Sequence, residues 1–325
     1  MPTVTQQIHH VAPHKTVAFR ASPRRLPYAV LALLLSAAAA KAGQICDARW
    51  TDPARHRTVP VRIRMPDGNG TIPVILFSHG LGGSLDSGTI WAKAWADAGF
   101  AVIHLQHPGS DSSVMRRGGL RAAASPQQLV ARVADVQFVL DRLERGGREG
   151  TCDLGRIDMR HVGMSGHSFG AQTTQAIAGQ RFPSDSEAKM ADRRVAAAIA
   201  FSPSPPATGS VDAAFATIRI PFFSITGTRD QLPGTHLSPE DRQTPYAAMP
   251  PGGKYLLVLD GANHMVFNGA DARLRWIRPG PEVQRIVNAA TTDFWRWTLS
   301  GDMAARRRLD SGNVGLRPAD RLAHK

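Results

Sequence analysis

Seven short apolar runs recur along the chain from residue 60 onward, separated by stretches whose apolar residues fall at helical spacing. They are Val61 to Met65, Val74 to Ser78, Ala101 to Leu105, His161 to Met164, Val195 to Phe201, Phe222 to Thr226 and Tyr255 to Leu259. Runs too short for helices that alternate with amphipathic segments predict a mostly parallel sheet flanked by helices on both faces, an α/β fold. The clearest helix opens at Ser125, Pro126, Gln127 and Gln128, which supply a cap, a proline at the first helical position and a capping-box glutamine. Its apolar stripe reads Leu129, Val133, Val136, Leu140 and Leu143, and Gly146 with Gly147 ends it. A second helix begins at Pro281, presents Val283, Ile286, Val287, Ala290 and Phe294, and is expected to close the sheet.

The residues that carry chemistry sit at the ends of these strands. Gly166, His167, Ser168, Phe169 and Gly170 follow one apolar run and precede a helix-compatible stretch, Ala171 to Ala178. In that context the G-x-S-x-G string reads as a nucleophile elbow, with Ser168 held out at the top of the sheet. A serine hydroxyl needs a base. His264, on the loop Asp260 to His264 after the last strand, is the candidate. His167 is expected to pack beside the serine. Asp230, which ends the run Phe222 to Thr226 through Gly227, Thr228 and Arg229, is the candidate acid for His264. Asp260, four positions before the histidine, is the rival and reads instead as a turn cap. An oxyanion needs two backbone N–H donors. Phe169 offers one, and Leu81 in the glycine loop His79, Gly80, Leu81, Gly82, Gly83 offers the other. The segment His107, Pro108, Gly109, Ser110, Asp111 is expected to line the cleft. His104 and His107 lack a third ligand at zinc-like spacing, so neither metal nor cofactor is implied.

The termini set the domain limits. Residues 1–27 are basic and polar; an apolar run from Tyr28 to Ser36, alanines and Ala40, Lys41, Ala42 follow, in the order of a secretory signal and its cleavage site. A mature chain starting near Gly43 implies a secreted or periplasmic protein with no stable membrane span after cleavage. The run is shorter than the ~20 residues a membrane anchor needs. The leader holds five bases and no acid, and the stretch from Ala304 holds six bases against Asp310 and Asp320. The formal charge of +13 is therefore concentrated at the ends, which argues against a nucleic-acid partner. Residues 43–303 read as one catalytic domain and 304–325 as a basic tail with little order. Cys46 and Cys152 are the only cysteines; an oxidising compartment permits a disulfide between them, and two unpaired thiols are the alternative. Oligomeric state is not legible.

The segments Phe77 to Gly83, Gly166 to Gly170, Gly227 to Asp230 and Gly261 to His264 resemble those of the α/β-hydrolases grouped around dienelactone hydrolase, the platelet-activating-factor acetylhydrolases and bacterial polyester-degrading cutinases. The resemblance spans about residues 60–300. It implies an α/β-hydrolase fold, a Ser168–His264–Asp230 triad, backbone donors at Leu81 and Phe169, and hydrolysis of small-molecule or polymer esters through an acyl-enzyme. Dienelactone hydrolases proper carry cysteine where this chain has Ser168, and Ala171 replaces a glycine common after the elbow. The stretch Ser202 to Ile220, where such folds often insert a lid, is too short for a cap domain. An amidase or peptidase with the same triad, or a silent binding protein, are the alternatives; neither the triad nor the oxyanion loop is broken in this sequence.

Overall fold

The computed structural model describes residues 43–117, 119–183, 190–232, 235–271 and 278–325. The expected leader, 1–42, lies outside them. Along the chain come β1 (Gln44–Asp52), β2 (Arg57–Met65), β3 (Ile72–Ser78), α1 (Thr89–Asp97), β4 (Ala101–Leu105), the short α2 (Ser112–Arg117) and α3 (Leu120–Ala123), and α4 (Pro126–Glu144). A small hairpin, β5 (Arg148–Glu149) and β6 (Cys152–Asp153), leads into β7 (Ile157–His167) and α5 (Phe169–Ile177). Then follow β8 (Val195–Phe201), α6 (Val211–Phe215), β9 (Phe222–Arg229), α7 (Thr244–Ala248), β10 (Lys254–Asn263), α8 (Pro281–Ser300), α9 (Met303–Asp310) and β11 (Arg321–His324).

Among the described residues nine strands form one sheet, in the order β1, β2, β4, β3, β7, β8, β9, β10, β11. The six from β4 to β10 run parallel, and β1, β2 and β11 are antiparallel additions at the edges. Side chains alternate across each strand, so the core divides in two. β3 sends Val74 and Leu76 toward α4, and Ile75 and Phe77 toward α1 and α8. Each fully buried aliphatic or aromatic side chain contributes ~1.5–3 kcal/mol, which is why this alternation decides the layering. α4 forms as its sequence dictates: the Ser125 side chain accepts from the Gln128 N–H, Pro126 opens the first turn, and Leu129, Val133, Val136, Leu140 and Leu143 are buried. α8 likewise buries Ile286, Val287, Ala290 and Phe294. No helix among the described residues is long and apolar enough to cross a membrane.

Two edge features depart from the sequence reading. β1 pairs with β2 over its whole length and buries Cys46 and Trp50, an alternating pattern close to the expected start of the mature chain. Residues 304–325, expected to lack order, instead form α9 and β11. Their basic composition conceals three anchors: Ala305, Leu309 and Val314 are buried, Arg308 pairs with Asp293, and β11 pairs with β10 from Tyr255 to Val258. Asp302 caps α9 through the N–H groups of Ala304 and Ala305. The expected boundary at 303 therefore falls inside a continuous structure.

Cys46 in β1 and Cys152 in β6 are joined by a disulfide across 106 residues of sequence. Closing a loop of that size removes enough denatured-state entropy to stabilise the fold by about 2–5 kcal/mol. Replacing both with serine is expected to lower the unfolding free energy by an amount in that range, read from urea melts. A midpoint equal to that of the oxidised wild type would show that the link contributes nothing.

Candidate active site

Strand register brings the candidate residues together. The parallel pair of β3 and β7 ends with Ser78 opposite Gly166, and Leu81 and Phe169 each lie three residues further on. Chain order reverses at this pair, because β4 adds on one side of β3 and β7 on the other. Such a switch point leaves a crevice beyond the carboxyl ends of the strands. β9 and β10 end in the same way, with Arg229 opposite Asn263, so that Asp230 and His264 are the next residues out.

Ser168 occupies φ 56° and ψ −115°, a conformation that costs a non-glycine residue about 1–3 kcal/mol. Its neighbours impose that geometry. The Ser168 N–H donates to Phe201 O at 2.9 Å, and α5 begins at the next residue. A Cβ on Gly170 would collide with the Ser78 carbonyl, and one on Gly166 with the Gly170 carbonyl. Glycine at both positions lets strand, turn and helix close up.

The structure brings Ser168, His264 and Asp230 into one hydrogen-bonded line. His264 Nδ1 lies 2.7 Å from Asp230 Oδ1, and His264 Nε2 lies 2.9 Å from Ser168 Oγ. With Asp230 ionised, Nδ1 carries the proton and donates it to the carboxylate, leaving Nε2 to accept from the serine hydroxyl. Burial of Asp230 disfavours its charge, but the His264 hydrogen bond and the Arg242 charge outweigh that and hold the carboxyl below its usual range. Arg242 Nε is 3.1 Å from Asp230 Oδ1, and Thr226 Oγ1 donates to Oδ2 at 2.7 Å. Arg242 is itself buried and fixed by Ser202 O, Pro203 O and Ser204 Oγ. Asp260 is exposed and takes the Thr228 hydroxyl at 3.1 Å, while Asn263, not Asp260, caps the turn through the Met265 and Val266 N–H groups. His167 lies beside the line, as its position in the elbow suggested. Burial, reinforced by the neighbouring His264, keeps its ring neutral, and Nε2 donates to His264 O at 2.9 Å.

Phe169 follows Ser168 directly, and Leu81 follows Gly80, where a Cβ would come within 3.4 Å of the Ser168 Cβ. The next two N–H groups of the glycine loop are occupied, Gly82 by Ser110 O and Gly83 by Gly80 O, whereas among the described residues no backbone acceptor takes that of Leu81. Phe169 is the first residue of α5 and so has no intrahelical acceptor.

Within the segment from His107 to Asp111, which runs alongside the glycine loop, His107 and Ser110 are wholly buried and Asp111 nearly so, while Gly109 is exposed. There His107 Nε2 lies 3.0 Å from Ser78 Oγ and Nδ1 lies 3.0 Å from Asp135 Oδ2, a second Ser–His–Asp line sealed from solvent. Burial, with the Arg132 charge alongside, pushes His107 down to about 4. Asp135 also takes Arg55 at 2.9 Å and Arg57 at 2.7 Å; burial disfavours its charge, but the hydrogen bonds from His107 and Arg57 outweigh that and hold it at about 2. The sequence reading did not single out Arg132 or Asp135. Both fall on the buried stripe of α4, three and six residues beyond Leu129, and charges at apolar spacing were the available signal. His104 bonds to Ser87 O, and no group of three potential metal ligands occurs among the described residues. A groove of about 1010 Å³ lies at the other end of α5, between Ile177, Val195 and Thr217, and contains none of the aligned residues.

No protein-family model and no curated protein matches the chain. Among solved structures it is similar to a novel cold-adapted esterase from an Arctic intertidal metagenomic library, at 18% identity over 80% of this chain and 95% of that one, with a TM-score of 0.51. A likeness at that identity speaks to architecture. The chain has the α/β-hydrolase fold, a mostly parallel sheet between helical layers, and the 20 residues between β8 and β9 carry only the five-residue α6 rather than a lid domain.

Asp135 generates a pH prediction. A carboxylate lowered from 3.8 to about 2 stabilises the fold fully above its unfolded value and loses that contribution as pH falls toward 2. The shift corresponds to ~2 kcal/mol. Asp135→Asn is expected to lose about that much at pH 7 and to flatten the acid limb of the stability profile between pH 4 and 2. Equal stability of the two proteins at pH 7 would count against it.

Proposed function

We propose that the protein is an exported serine hydrolase of carboxylic esters that works through an acyl-enzyme. The observation that carries this reading is the continuous line Ser168, His264, Asp230 at the switch point of the sheet, with the serine fixed in a strained elbow. In this reading His264 Nε2 takes the Ser168 proton as Oγ attacks the ester carbonyl, and the Leu81 and Phe169 N–H groups receive the oxyanion. Asp230 stabilises the imidazolium and keeps its orientation. The imidazolium then gives its proton to the departing alkoxide, and water, activated by the same ring, releases the acid and restores Ser168. Esters suit the site better than peptides because an alkoxide leaves more readily than an amine and, among the described residues, no second domain or lid surrounds the serine. Export is supported by the leader sequence and by the Cys46–Cys152 disulfide, which persists in an oxidising compartment.

A fluorophosphonate probe is expected to label wild type at Ser168 and to leave Ser168→Ala unlabelled. Equal labelling of that variant places the nucleophile elsewhere. Asp230→Asn is expected to lower kcat for p-nitrophenyl esters by roughly 10⁴-fold, in line with loss of the orienting acid in serine proteases, whereas Asp260→Asn stays near wild type. A folded Asp260→Asn without turnover, beside an active Asp230→Asn, would reverse the assignment of the acid. Short-acyl esters are expected to be cleaved in free solution with no jump in rate when a lipid interface forms; activity confined to long-chain emulsions contradicts the open site.

A further inference from the structure

Arg132 is a buried cation beside the glycine loop that none of the steps above uses. It projects from α4, is wholly buried, and among the described residues makes four hydrogen bonds, all to neutral oxygens. Those oxygens belong to the two segments that flank Ser168. On the glycine-loop side, Nη2 donates to Ser78 Oγ at 2.9 Å and to His79 O, and Nη1 donates to Ser110 Oγ at 2.8 Å. His79 O lies two residues before the Leu81 N–H, and Ser110 O holds the Gly82 N–H just after it. On the elbow side, Nε donates to Thr173 Oγ1 at 3.0 Å, and that hydroxyl donates in turn to Phe169 O at 3.1 Å. The guanidinium carbon also lies 4.7 Å from the centre of the Phe169 ring.

The geometry points to Arg132 as the positioning residue of the oxyanion hole: one planar guanidinium holds the Leu81 loop and the first turn of α5 at a fixed separation. The inference rests on the esterase reading and extends it to how the two donors keep their spacing. Five N–H groups in a rigid fork can grip both segments at once, which a lysine ammonium, with three donors at one point, cannot. The sealed line Asp135, His107, Ser78 completes the arrangement. Asp135 takes the His107 Nδ1 proton, His107 Nε2 takes the Ser78 hydroxyl proton, and the serine lone pairs are left facing Arg132. Arg132 stays cationic at neutral pH, although burial pushes it down to about 9.

The test compares Arg132→Lys, Ser110→Ala and Thr173→Val with wild type on a soluble p-nitrophenyl ester, with inhibition by a trifluoromethyl ketone as second readout. That ketone captures the serine as a tetrahedral oxyanion. Misplacing one donor is expected to lower kcat by about 10²-fold or more in Arg132→Lys, with KM within threefold, and to weaken the ketone by a similar factor. Ser110→Ala and Thr173→Val each remove one contact and are expected to lower kcat and ketone affinity together, by about tenfold. Addition of millimolar guanidinium ion to Arg132→Ala is expected to recover part of the lost kcat. If Arg132→Lys is folded and keeps both kcat and ketone affinity within threefold of wild type, the positioning role is overturned. Should the Arg132 variants fail to fold, unchanged kcat and ketone affinity in both Ser110→Ala and Thr173→Val overturn it equally. A wild type that neither hydrolyses esters nor takes fluorophosphonate at Ser168 instead overturns the esterase reading itself, and this inference with it.

Discussion

The arrangement of the site depends on one close approach, that of the Ser78 carbonyl at the end of β3 to the Gly170 backbone at the start of α5. No side chain fits between them. Because β3 and β7 also finish level, at Ser78 and Gly166, the glycine loop and the elbow leave the sheet side by side, with Leu81 and Phe169 each three residues beyond those strand ends. The backbone thus brings the two proposed donor segments together, and the Arg132 guanidinium is placed to hold them there. The unfavourable φ of Ser168 persists because strand pairing, the bond to Phe201 and the helix start all require it together.

Beneath this backbone frame lie buried charges, each surrounded by partners that offset its desolvation. Asp230 has His264, Thr226 and Arg242; Arg242 has three further oxygens; Asp135 has Arg55, Arg57 and His107. Such groups stabilise the fold only as complete sets, since a charge left without its partner in the interior destabilises by several kcal/mol. The two Ser–His–Asp lines differ in one respect. Ser168 is partly open to solvent, whereas Ser78 is sealed and its oxygen already accepts from Arg132. Hydrogen-bond pattern alone does not distinguish them, and accessibility does.

Much of this was legible in the sequence where the signal is local. All seven apolar runs are strands, two of them with the boundaries the sequence suggested, Ala101–Leu105 and Val195–Phe201, and the caps of α4 and α8 lie where serine and proline placed them. The meeting of Ser168, Asp230 and His264 was readable because each residue ends a strand of a sheet whose order the fold class dictates. The missed elements depend on distant partners. β1 is defined by its pairing with β2 and by the disulfide, and α9 and β11 by buried contacts and a β10 ladder that a basic composition conceals. Arg132 and Asp135 interrupt an apolar stripe, but nothing in the sequence says which oxygens they reach. The segment His107 to Asp111 follows a strand, as the sequence showed, but its pairing with Gly82 and Gly83 of the glycine loop depends on distant partners.

The strained elbow also separates shape from reactivity. Main-chain contacts, not the hydroxyl, hold residue 168 in its unusual conformation, so the position acts as a socket that presents whatever short side chain it carries to His264. A thiol placed there meets the same imidazole while bringing a softer, more acidic group. An exchange of oxygen for sulfur at this position therefore needs no rebuilding of the scaffold. In such a protein the side chain offered to His264 is inherited at a single codon, while the geometry that presents it is spread over two strands, a helix and a loop.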